Sequence, residues 1–276
     1  MATRVVARVV QSTPTSDGAG VRLRRAIGTH LLPQVDPFLM LDEFYSDDPN
    51  DYLAGFPDHP HRGFETVTYM LAGAMEHHDS VGNRGRLVGG GAQWMTAGRG
   101  IIHSEMPKQE SGLMWGFQLW VNLPAKDKMV KPRYQDLVPE SIPTVDLPGA
   151  SVRVVAGEVD GVRGPVEGIV TSPTFLDVRL KKGGTFTQRV PATHGAFVYP
   201  YKGTIKIGDS TIERGSTAVL SEGDEITLSS DEESAAIVLA GAPLKEPIAR
   251  HGPFVMNTAA EIQQAVRDYQ LGKLTQ

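Results

Sequence analysis

Two short runs of the sequence carry residues that could bind a metal ion. The first run holds His59 and His61, and the second holds His103 and Glu105. Residues two apart on a β-strand point to the same face, so each pair projects together if its run is a strand. Three imidazoles and a carboxylate suit iron, nickel, copper or zinc, and the chain has no thiolate to favour a softer ion. On an octahedral ion, four such ligands would leave two positions open for a substrate or dioxygen.

The simpler interpretation is that a His-x-His pair on a strand is incidental. Three of the eight histidines of the chain fall in these two runs, and each has a partner on the same predicted strand face. Glycine-rich sequence that is predicted to form strands surrounds both runs, and together these observations favour a metal site. In contrast, His77, His78 and Asp79 lie beside a predicted hairpin, so we expect them to be solvated and not to bind metal.

The composition indicates a β-rich protein of one large or two ordinary domains. The chain has 276 residues, and its 30 Gly and 19 Pro favour many short strands joined by tight turns. The 27 basic side chains against 32 acidic ones give no indication of nucleic-acid binding. The absence of cysteine excludes disulfides and thiol nucleophiles. No apolar run is long enough for a signal peptide or a membrane span, so we expect a cytoplasmic protein without membrane contact.

The predicted strands are short and regularly spaced, as in a barrel or jelly roll. The clearest ones span residues 5–10, 64–71, 74–79, 93–96 and 114–123 in the first half, and 151–159, 175–180, 186–190, 196–201, 204–207, 216–220, 225–228 and 235–240 in the second. The proline-rich stretch 124–148 is predicted to be a linker that contains the domain boundary. A capping box at Thr258 and Glu261, followed by apolar Ile262, Val266 and Tyr269, predicts a C-terminal helix.

The two halves of the chain resemble each other weakly. Gly90 stands eight residues before Gly98, and His103 follows; Gly215 stands eight residues before Gly223, but no histidine follows there. The second half also lacks a His-x-His pair. This pattern predicts two barrels, with one metal ion per chain, held in the first barrel.

The motifs resemble those of a known family. The run His59-Pro-His61-Arg-Gly-Phe-Glu65 fits the first motif of the cupin superfamily, His-x-His-x3-Glu. A longer set of runs is similar to the pirin family: His59 to Val67, Gln93 to Ile101, His103 to Pro107, Leu119 to Leu123 and Gly252 to Asn257. The resemblance covers nearly the whole chain.

The resemblance implies an all-β fold of two antiparallel cupin barrels (a bicupin) with a short C-terminal helix. From the proline-rich stretch and the missing histidines of the second half, we expect residues 1–130 to form an N-terminal metal-binding barrel and residues 131–276 a C-terminal barrel that lacks metal ligands and ends in the helix. The resemblance also implies one mononuclear Fe(II), bound by His59, His61, His103 and Glu105. A typical cupin would instead take its carboxylate from Glu65. We favour Glu105, because it shares a strand face with His103, and expect Glu65 to orient an imidazole.

Pirins are similar in their site to the cupin quercetinases, so the resemblance implies quercetin 2,3-dioxygenase activity, in which an Fe(II)-bound flavonolate reacts with O₂. On this interpretation Glu105 is also the catalytic residue that accepts the substrate hydroxyl proton, and Phe56 and Trp94 belong to the wall that holds the aromatic rings. The alternative is a regulatory protein that binds a protein partner according to the oxidation state of its iron. Under either hypothesis we expect a monomer. We expect Arg62 and Arg99, which flank the ligand runs, to be structural ion-pair partners.

Overall fold

Short apolar runs form β-strands throughout the chain, and glycines or prolines occupy many of the turns between them. The computed structural model describes residues 2–276. The strands up to residue 137 are β1 (Val6–Gln11), β2 (Thr13–Asp17), β3 (Val21–Ile27), β4 (Phe38–Ser46), β5 (Phe56–His61), β6 (Phe64–Ala72), β7 (Ala74–Asp79), β8 (Arg84–Val88), β9 (Ala92–Thr96), β10 (Ile101–Pro107), β11 (Met114–Asn122) and β12 (Arg133–Leu137).

The remaining strands continue this pattern of short segments: β13 (Thr144–Asp146), β14 (Ala150–Ala156), β15 (Glu158–Val159), β16 (Val162–Arg163), β17 (Thr174–Leu180), β18 (Thr185–Arg189), β19 (Gly195–Lys202), β20 (Thr204–Ile207), β21 (Ser210–Glu213), β22 (Ser216–Leu220), β23 (Glu225–Ser229), β24 (Ser234–Gly241), β25 (Ala249–His251) and β26 (Phe254–Met256). Short 3-10 helices lie at Pro49–Asp51, Ala125–Asp127 and Pro139–Ser141, and one α-helix, α1, spans Ala259–Gln270 within residues 2–276. Over the same range, no helix combines the length and the hydrophobicity that crossing a bilayer requires.

The chain forms two compact units, and each draws on more than one segment. Unit 1 comprises Met1–Thr13, Ala26–Pro37 and Glu140–Pro243, and unit 2 comprises Pro14–Arg25, Phe38–Pro139 and Leu244–Gln276. The first strand belongs to unit 1 because β1 pairs with β22. The division of the chain at residues 130 and 131 into two contiguous barrels stays a prediction, and the compact units differ from it in the placement of β1 and of α1.

The two units share one strand topology. Unit 2 has a seven-stranded sheet, in the order β12-β9-β6-β11-β4-β3-β2, and a four-stranded sheet, β5-β10-β7-β8. In unit 1 the corresponding orders are β1-β22-β19-β24-β17-β14-β13 and β18-β23-β20-β21. The weak repeat in the sequence therefore reflects a repeated arrangement of strands: β18 and β23 in unit 1 pair as β5 and β10 do in unit 2.

The interior of unit 1 is an apolar core. Phe186 on β18 lies opposite Leu228 on β23, and Ile226 follows on the same face of β23. All three are at most 2% exposed and belong to one continuous cluster of valine, isoleucine, leucine, alanine and phenylalanine side chains. Burial of such side chains contributes about 25 cal/mol for each Å² of apolar surface. The strands that correspond to β5 and β10 thus contribute apolar side chains to the core of unit 1.

Most predicted strands are confirmed to within two residues. The predicted linker at residues 124–148 contains the change from unit 2 to unit 1 between Pro139 and Glu140, but it also contains strands. Residues 124–148 contain β12, which pairs with β9 from Arg133 to Leu137, and β13, which pairs with β14. Both strands lie at the edge of a seven-stranded sheet, where proline-rich flanking sequence is tolerated because an edge strand hydrogen bonds on one side only.

The predicted C-terminal helix is confirmed together with its cap. Thr258 accepts a hydrogen bond from the backbone N–H of Glu261, and the Glu261 carboxylate accepts one from the Thr258 N–H at 2.8 Å. Ile262 and Val266 pack against buried Phe254, as expected for an apolar stripe. Tyr269, predicted to share this stripe, is 42% exposed.

The apolar interior of unit 1 leads to a prediction about metal content. We expect one tightly bound divalent ion per chain, because only unit 2 has histidines at the paired-strand positions. Elemental analysis of protein purified without an affinity tag measures this ratio. The double variant His59→Ala, His61→Ala should lose the ion and keep its far-ultraviolet circular dichroism. Two ions per wild-type chain, or an ion retained by the double variant, would contradict the prediction.

Candidate metal centre

The pairing of β5 with β10 brings three histidine rings together. The register places His103 opposite His59 and Ile101 opposite His61. The ring centroids are 4.4 Å apart for His59 and His103, 4.7 Å for His59 and His61, and 4.9 Å for His61 and His103. One ligand nitrogen from each ring lies within 4.8 Å of the other two. The predicted convergence of the three histidines on one point is therefore observed.

Strand β5 can contain two prolines because it is an edge strand. Pro57 and Pro60 have no N–H to donate, and β5 lies at the end of the order β5-β10-β7-β8, with β10 as its neighbour. After the pairing of His103 with His59 the register shifts, so that Glu105 lies opposite Phe56. Such a bulge changes the direction of nearby side chains and is common beside functional sites.

In His59 and His103, the contacts of Nδ1 leave Nε2 available to bind a metal. The Nδ1 of His59 donates to the carbonyl oxygen of Pro57 at 2.8 Å, so its Nε2 carries the lone pair. The Nδ1 of His103 lies 3.3 Å from the Nδ1 of His77, and its Nε2 is buried without a hydrogen-bond partner. Both ring nitrogens of His61 are also buried without one. Buried polar atoms normally have a partner, and a bound cation would provide it.

The electrostatics keep the two most buried rings neutral. Burial lowers the pKa of His61 well below its usual value, and the nearby His59 lowers it further. Burial lowers the pKa of His103 in the same way, with His61 and His59 adding to the effect. Metal ions bind the neutral imidazole. The donor set therefore fits a borderline divalent ion of the iron, nickel, copper or zinc type.

Glu105 lines the same pocket as His59 and His61 and is 5% exposed. Its Oε1 accepts a hydrogen bond from the Thr68 hydroxyl at 2.7 Å, and its Oε2 accepts one from the Gln118 side-chain amide at 3.2 Å. Thr68 lies on β6 and Gln118 on β11, so the seven-stranded sheet of unit 2 holds the carboxylate of β10. Glu105 is not part of the cluster that His59, His61 and His103 form by the proximity of their ligand atoms.

The turn after His61 is fixed by close backbone contacts. Gly63 has φ +89°, and a Cβ at this position would lie 2.0 Å from the carbonyl oxygen of Val255, so only glycine fits. The Gly63 N–H donates to the carbonyl oxygen of Gly98 at 2.8 Å, which joins the two ligand runs. Buried Lys128 donates to the carbonyl oxygens of Gly63 and Val255 and to the side chain of Asn122, at 2.8–2.9 Å.

Arg62 has the structural role that the sequence predicts for it. Its guanidinium forms an ion pair with Asp268 at 2.7 Å and donates to the backbone carbonyl oxygens of Leu274 and Arg99. It is 4% exposed and links the turn after β5 to helix α1 and the residues that follow it. The expectation of an ion pair is wrong for Arg99: within residues 2–276 it forms none, and it contributes through its backbone carbonyl oxygen, which accepts from Arg62.

Glu65 does not orient an imidazole, so this expectation is wrong. On β6, Phe64 contacts the His61 ring and Thr68 contacts Glu105. Residues alternate between the two faces of a strand, so Glu65 points to the opposite face. There its Oε1 accepts a hydrogen bond from Thr96 at 2.6 Å. The same alternation on β9 explains why Trp94, which was expected in the substrate wall, does not line the pocket.

The expectation that His77 and Asp79 are solvated is also wrong. His77 is 4% exposed and Asp79 is 2% exposed, because β7 lies between β10 and β8 in the four-stranded sheet. Asp79 accepts hydrogen bonds from the backbone and side-chain amides of Asn83. The His77 ring packs against Tyr134, with 4.7 Å between centroids. Burial lowers the pKa of His77, against the opposing effect of Glu105 and Asp79.

A cavity of about 550 Å³ opens beside the histidines. Its walls include His59, His61, Glu105 and Gln118, the apolar side chains of Leu23, Met40, Phe44, Phe56 and Trp120, and the charged side chains of Asp17, Arg25, Asp42, Asp58 and Arg250. The predicted position of Phe56 in the wall is confirmed. Cavities of this size, mostly apolar with a few convergent polar groups, are typical of small-molecule sites.

Sequence reasoning missed Gln118, Trp120 and Arg250. Gln118 is a polar side chain in the middle of the aromatic and apolar run Met114–Asn122, and this is the signal that could have indicated the site. Trp120 occupies the same face two residues later. Arg250 comes from a distant segment, and no local pattern connects it to the histidines.

The contact between His77 and His103 leads to a second prediction. If Nε2 of His103 binds a metal, its Nδ1 carries the proton and donates to Nδ1 of His77. We expect His77→Phe, which keeps the ring but removes the acceptor, to lower metal affinity by about 10- to 100-fold. His77→Asn supplies an amide oxygen near the position of Nδ1 and should restore most of the affinity.

Competition with a chelator measures the affinities, and the electron paramagnetic resonance spectrum of the Cu(II)-loaded protein reports the ligand field. His78→Ala is the matched control, because His78 is the exposed neighbour on the same strand. Equal affinities for the Phe and Asn variants, or an equal loss for His78→Ala, would contradict the positioning role of His77.

Comparisons with known proteins agree with this geometry. The sequence profile of the Pirin family matches residues 20–121, and that of the Pirin C-terminal cupin domain matches residues 175–275. The chain is 51% identical to a Pseudomonas aeruginosa protein provisionally named as a quercetin 2,3-dioxygenase, with 95% of this chain and 94% of that protein covered. It is 45% identical to human Pirin, with 96% and 91% covered.

Among solved structures, a quercetin 2,3-dioxygenase from Acinetobacter baumannii superimposes with a TM-score of 0.92 at 36% identity, and 99% of each chain is covered. The predicted bicupin fold is thereby confirmed. The chain matches both domain profiles, and its similarity to the relatives extends over nearly its whole length. The chain therefore belongs to the pirin family.

Proposed function

We propose that the protein is an iron-dependent dioxygenase that opens the central ring of quercetin or a related flavonol with O₂ and releases carbon monoxide. One observation carries the proposal: the ligand nitrogens of partly buried His59 and buried His61 and His103 lie close together, beside a cavity of about 550 Å³ that His59, His61 and Glu105 line. The similarity to proteins named as quercetin 2,3-dioxygenases supports the choice of reaction.

The ligands of the proposed Fe(II) are His59, His61, His103 and Glu105. Three neutral imidazoles and one carboxylate would leave the site with a net positive charge and two open positions on a six-coordinate ion. When bound, the iron supplies the Lewis acid and the electron donor that a reaction between a flavonol and O₂ requires. For Glu105 this role requires its Oε2 to leave Gln118 and turn toward the histidines, while Oε1 keeps its hydrogen bond to Thr68.

Glu105 is also the proposed proton acceptor. A flavonol reacts with O₂ as the anion of its 3-hydroxyl group, so a base within hydrogen-bond reach must take that proton. The Oε2 of Glu105 is suited to this, because its hydrogen bond to Gln118 is the longer of the two, at 3.2 Å. Thr68 then holds Oε1 in place and fixes the direction of Oε2.

The cavity walls fit a flat aromatic substrate. Phe44, Phe56 and Met40 provide apolar surface for the rings, and Trp120 lies at the back of the pocket with its ring 5.4 Å from that of His61. Aromatic rings prefer such edge-to-face or offset contacts.

The proposed reaction can be tested directly. The metal-free protein is loaded anaerobically with Fe(II), mixed with quercetin and exposed to O₂. We expect carbon monoxide in a one-to-one ratio to the quercetin consumed, measured by its binding to reduced haemoglobin. Loss of quercetin without carbon monoxide, or no reaction at all, would overturn the proposal and favour the regulatory alternative.

Two buried glutamates form a matched pair of tests. Glu105→Gln removes the charge of the proposed ligand and base, so we expect metal affinity to fall by more than the ~10- to 100-fold that loss of an outer-shell contact costs. Carbon monoxide release should be abolished. Glu65→Gln makes the same change on the opposite strand face, where burial already raises the pKa of the carboxyl.

We expect Glu65→Gln to keep its metal and to turn over quercetin within about threefold of the wild-type rate, since surrounding contacts persist. Chelator competition and carbon monoxide release measure both variants. Metal lost from Glu65→Gln and retained by Glu105→Gln would show that the ligand assignment is reversed.

A further inference from the structure

Two arginines line the cavity beside the histidines, and their surroundings differ. Arg25 donates from Nε and Nη2 to the two carboxylate oxygens of Asp42, at 2.8 Å and 2.7 Å, and its Nη2 also forms an ion pair with Asp17 at 2.6 Å. Its charge and its donors are therefore engaged by two carboxylates. Burial raises the pKa of Asp42 to about 6, against the lowering effect of Arg25.

Arg250 contacts the ring of Trp120, whereas Arg25 forms ion pairs with two carboxylates. Its Cζ lies 4.7 Å from the ring centroid of Trp120, a typical geometry for a cation–π interaction. Within residues 2–276, no side chain forms a hydrogen bond or an ion pair with its guanidinium. A guanidinium has five N–H donors in a planar fork that matches a carboxylate, so Arg250 presents unused donors to the cavity.

Trp120 fixes the position of Arg250 relative to the candidate metal centre. The indole meets the His61 ring at 5.4 Å between centroids and packs against Phe64 at 4.3 Å. Arg250 lies over the same indole. Trp120 therefore contacts both the His61 ring and the Arg250 guanidinium, and all three line the cavity, so a flat molecule in the cavity could contact both groups.

The other charged groups of the cavity do not neutralise the charge of Arg250 by direct contact. Against the lowering effect of burial, Asp17 and Asp42 raise the pKa of Arg250 through their charges, but both form ion pairs with Arg25. Asp58 is exposed. A partly buried cation without a hydrogen-bonded anion has lost part of its hydration. An anionic group on a ligand would restore the missing interactions through charge-assisted hydrogen bonds.

We propose that Arg250 is a specificity-determining residue that binds an anionic oxygen of the substrate at the end opposite to the hydroxyl group that reaches the histidines. The preferred substrate class is then a flat hydroxy-aromatic molecule that carries a carboxylate or another ionised oxygen substituent. This proposal rests on the proposed function, because it assumes that the substrate occupies the same cavity with its hydroxyl toward the histidines.

The test compares two ligands that differ in one group: 3-hydroxyflavone and 3-hydroxyflavone-4′-carboxylate. Their binding to the Fe(II)-loaded protein is titrated without O₂, using the fluorescence of the flavonol. We expect the wild type to bind the carboxylate about 10-fold more tightly or better, as for a charge-assisted hydrogen bond. Arg250→Gln should remove this preference and change the affinity for the neutral compound by less than threefold.

Two further variants sharpen the result. Arg250→Lys keeps the charge without the planar fork, so it should retain part of the preference. Arg86→Gln is the matched control, because Arg86 is an exposed arginine of β8 outside the cavity wall, and it should behave as the wild type. An equal loss of affinity for both ligands in Arg250→Gln would show that Arg250 only supports Trp120, and that result would overturn the proposal.

No preference for the carboxylate in the wild type would overturn it as well. Since these titrations involve no turnover, they are independent of ring opening. The protein could prefer the carboxylate through Arg250 and yet release no carbon monoxide from quercetin. That result would support the anion-binding role of Arg250 and refute the proposed reaction.

Discussion

The antiparallel pairing of β5 with β10 is the constraint on which the candidate site depends. It places His103 opposite His59, and the two-residue period of β5 adds His61 on the same face. A shift of the register by one residue would turn all of these rings to the other face of the sheet. The register is held in turn by backbone contacts at Gly63, by the bond from Gly63 to Gly98 and by the three bonds of Lys128.

A comparison of units 1 and 2 shows that the strand arrangement does not by itself determine whether a metal site forms. Both have a seven-stranded and a four-stranded sheet with corresponding strand orders. In unit 1 the paired strands β18 and β23 carry Phe186, Ile226 and Leu228, which join an apolar core. In unit 2 the corresponding strands carry histidines whose buried nitrogens lack hydrogen-bond partners. The topology thus supports either a packed interior or a metal centre, and the side chains on two strands decide between them.

The strands and the three histidines could be predicted because both depend on local patterns. Period-two spacing gives the face of a strand, and the capping box gives the start of α1. The environment of His77 could not be predicted this way, because its burial depends on β7 being an inner strand of a sheet. Trp94 was placed on the wrong side for the same reason: hydrophobicity indicates burial but not the face. Arg250 reaches the cavity through tertiary structure alone.

The number of imidazoles bound to the iron tests the central claim most directly. Extended X-ray absorption fine structure at the iron K-edge of the Fe(II)-loaded protein records the scattering of each coordinated imidazole ring. We expect three imidazoles in the wild type and two in His103→Gln. One imidazole or none in the wild type would contradict this assignment, since the clustered nitrogens of His59, His61 and His103 would then not be the ligands.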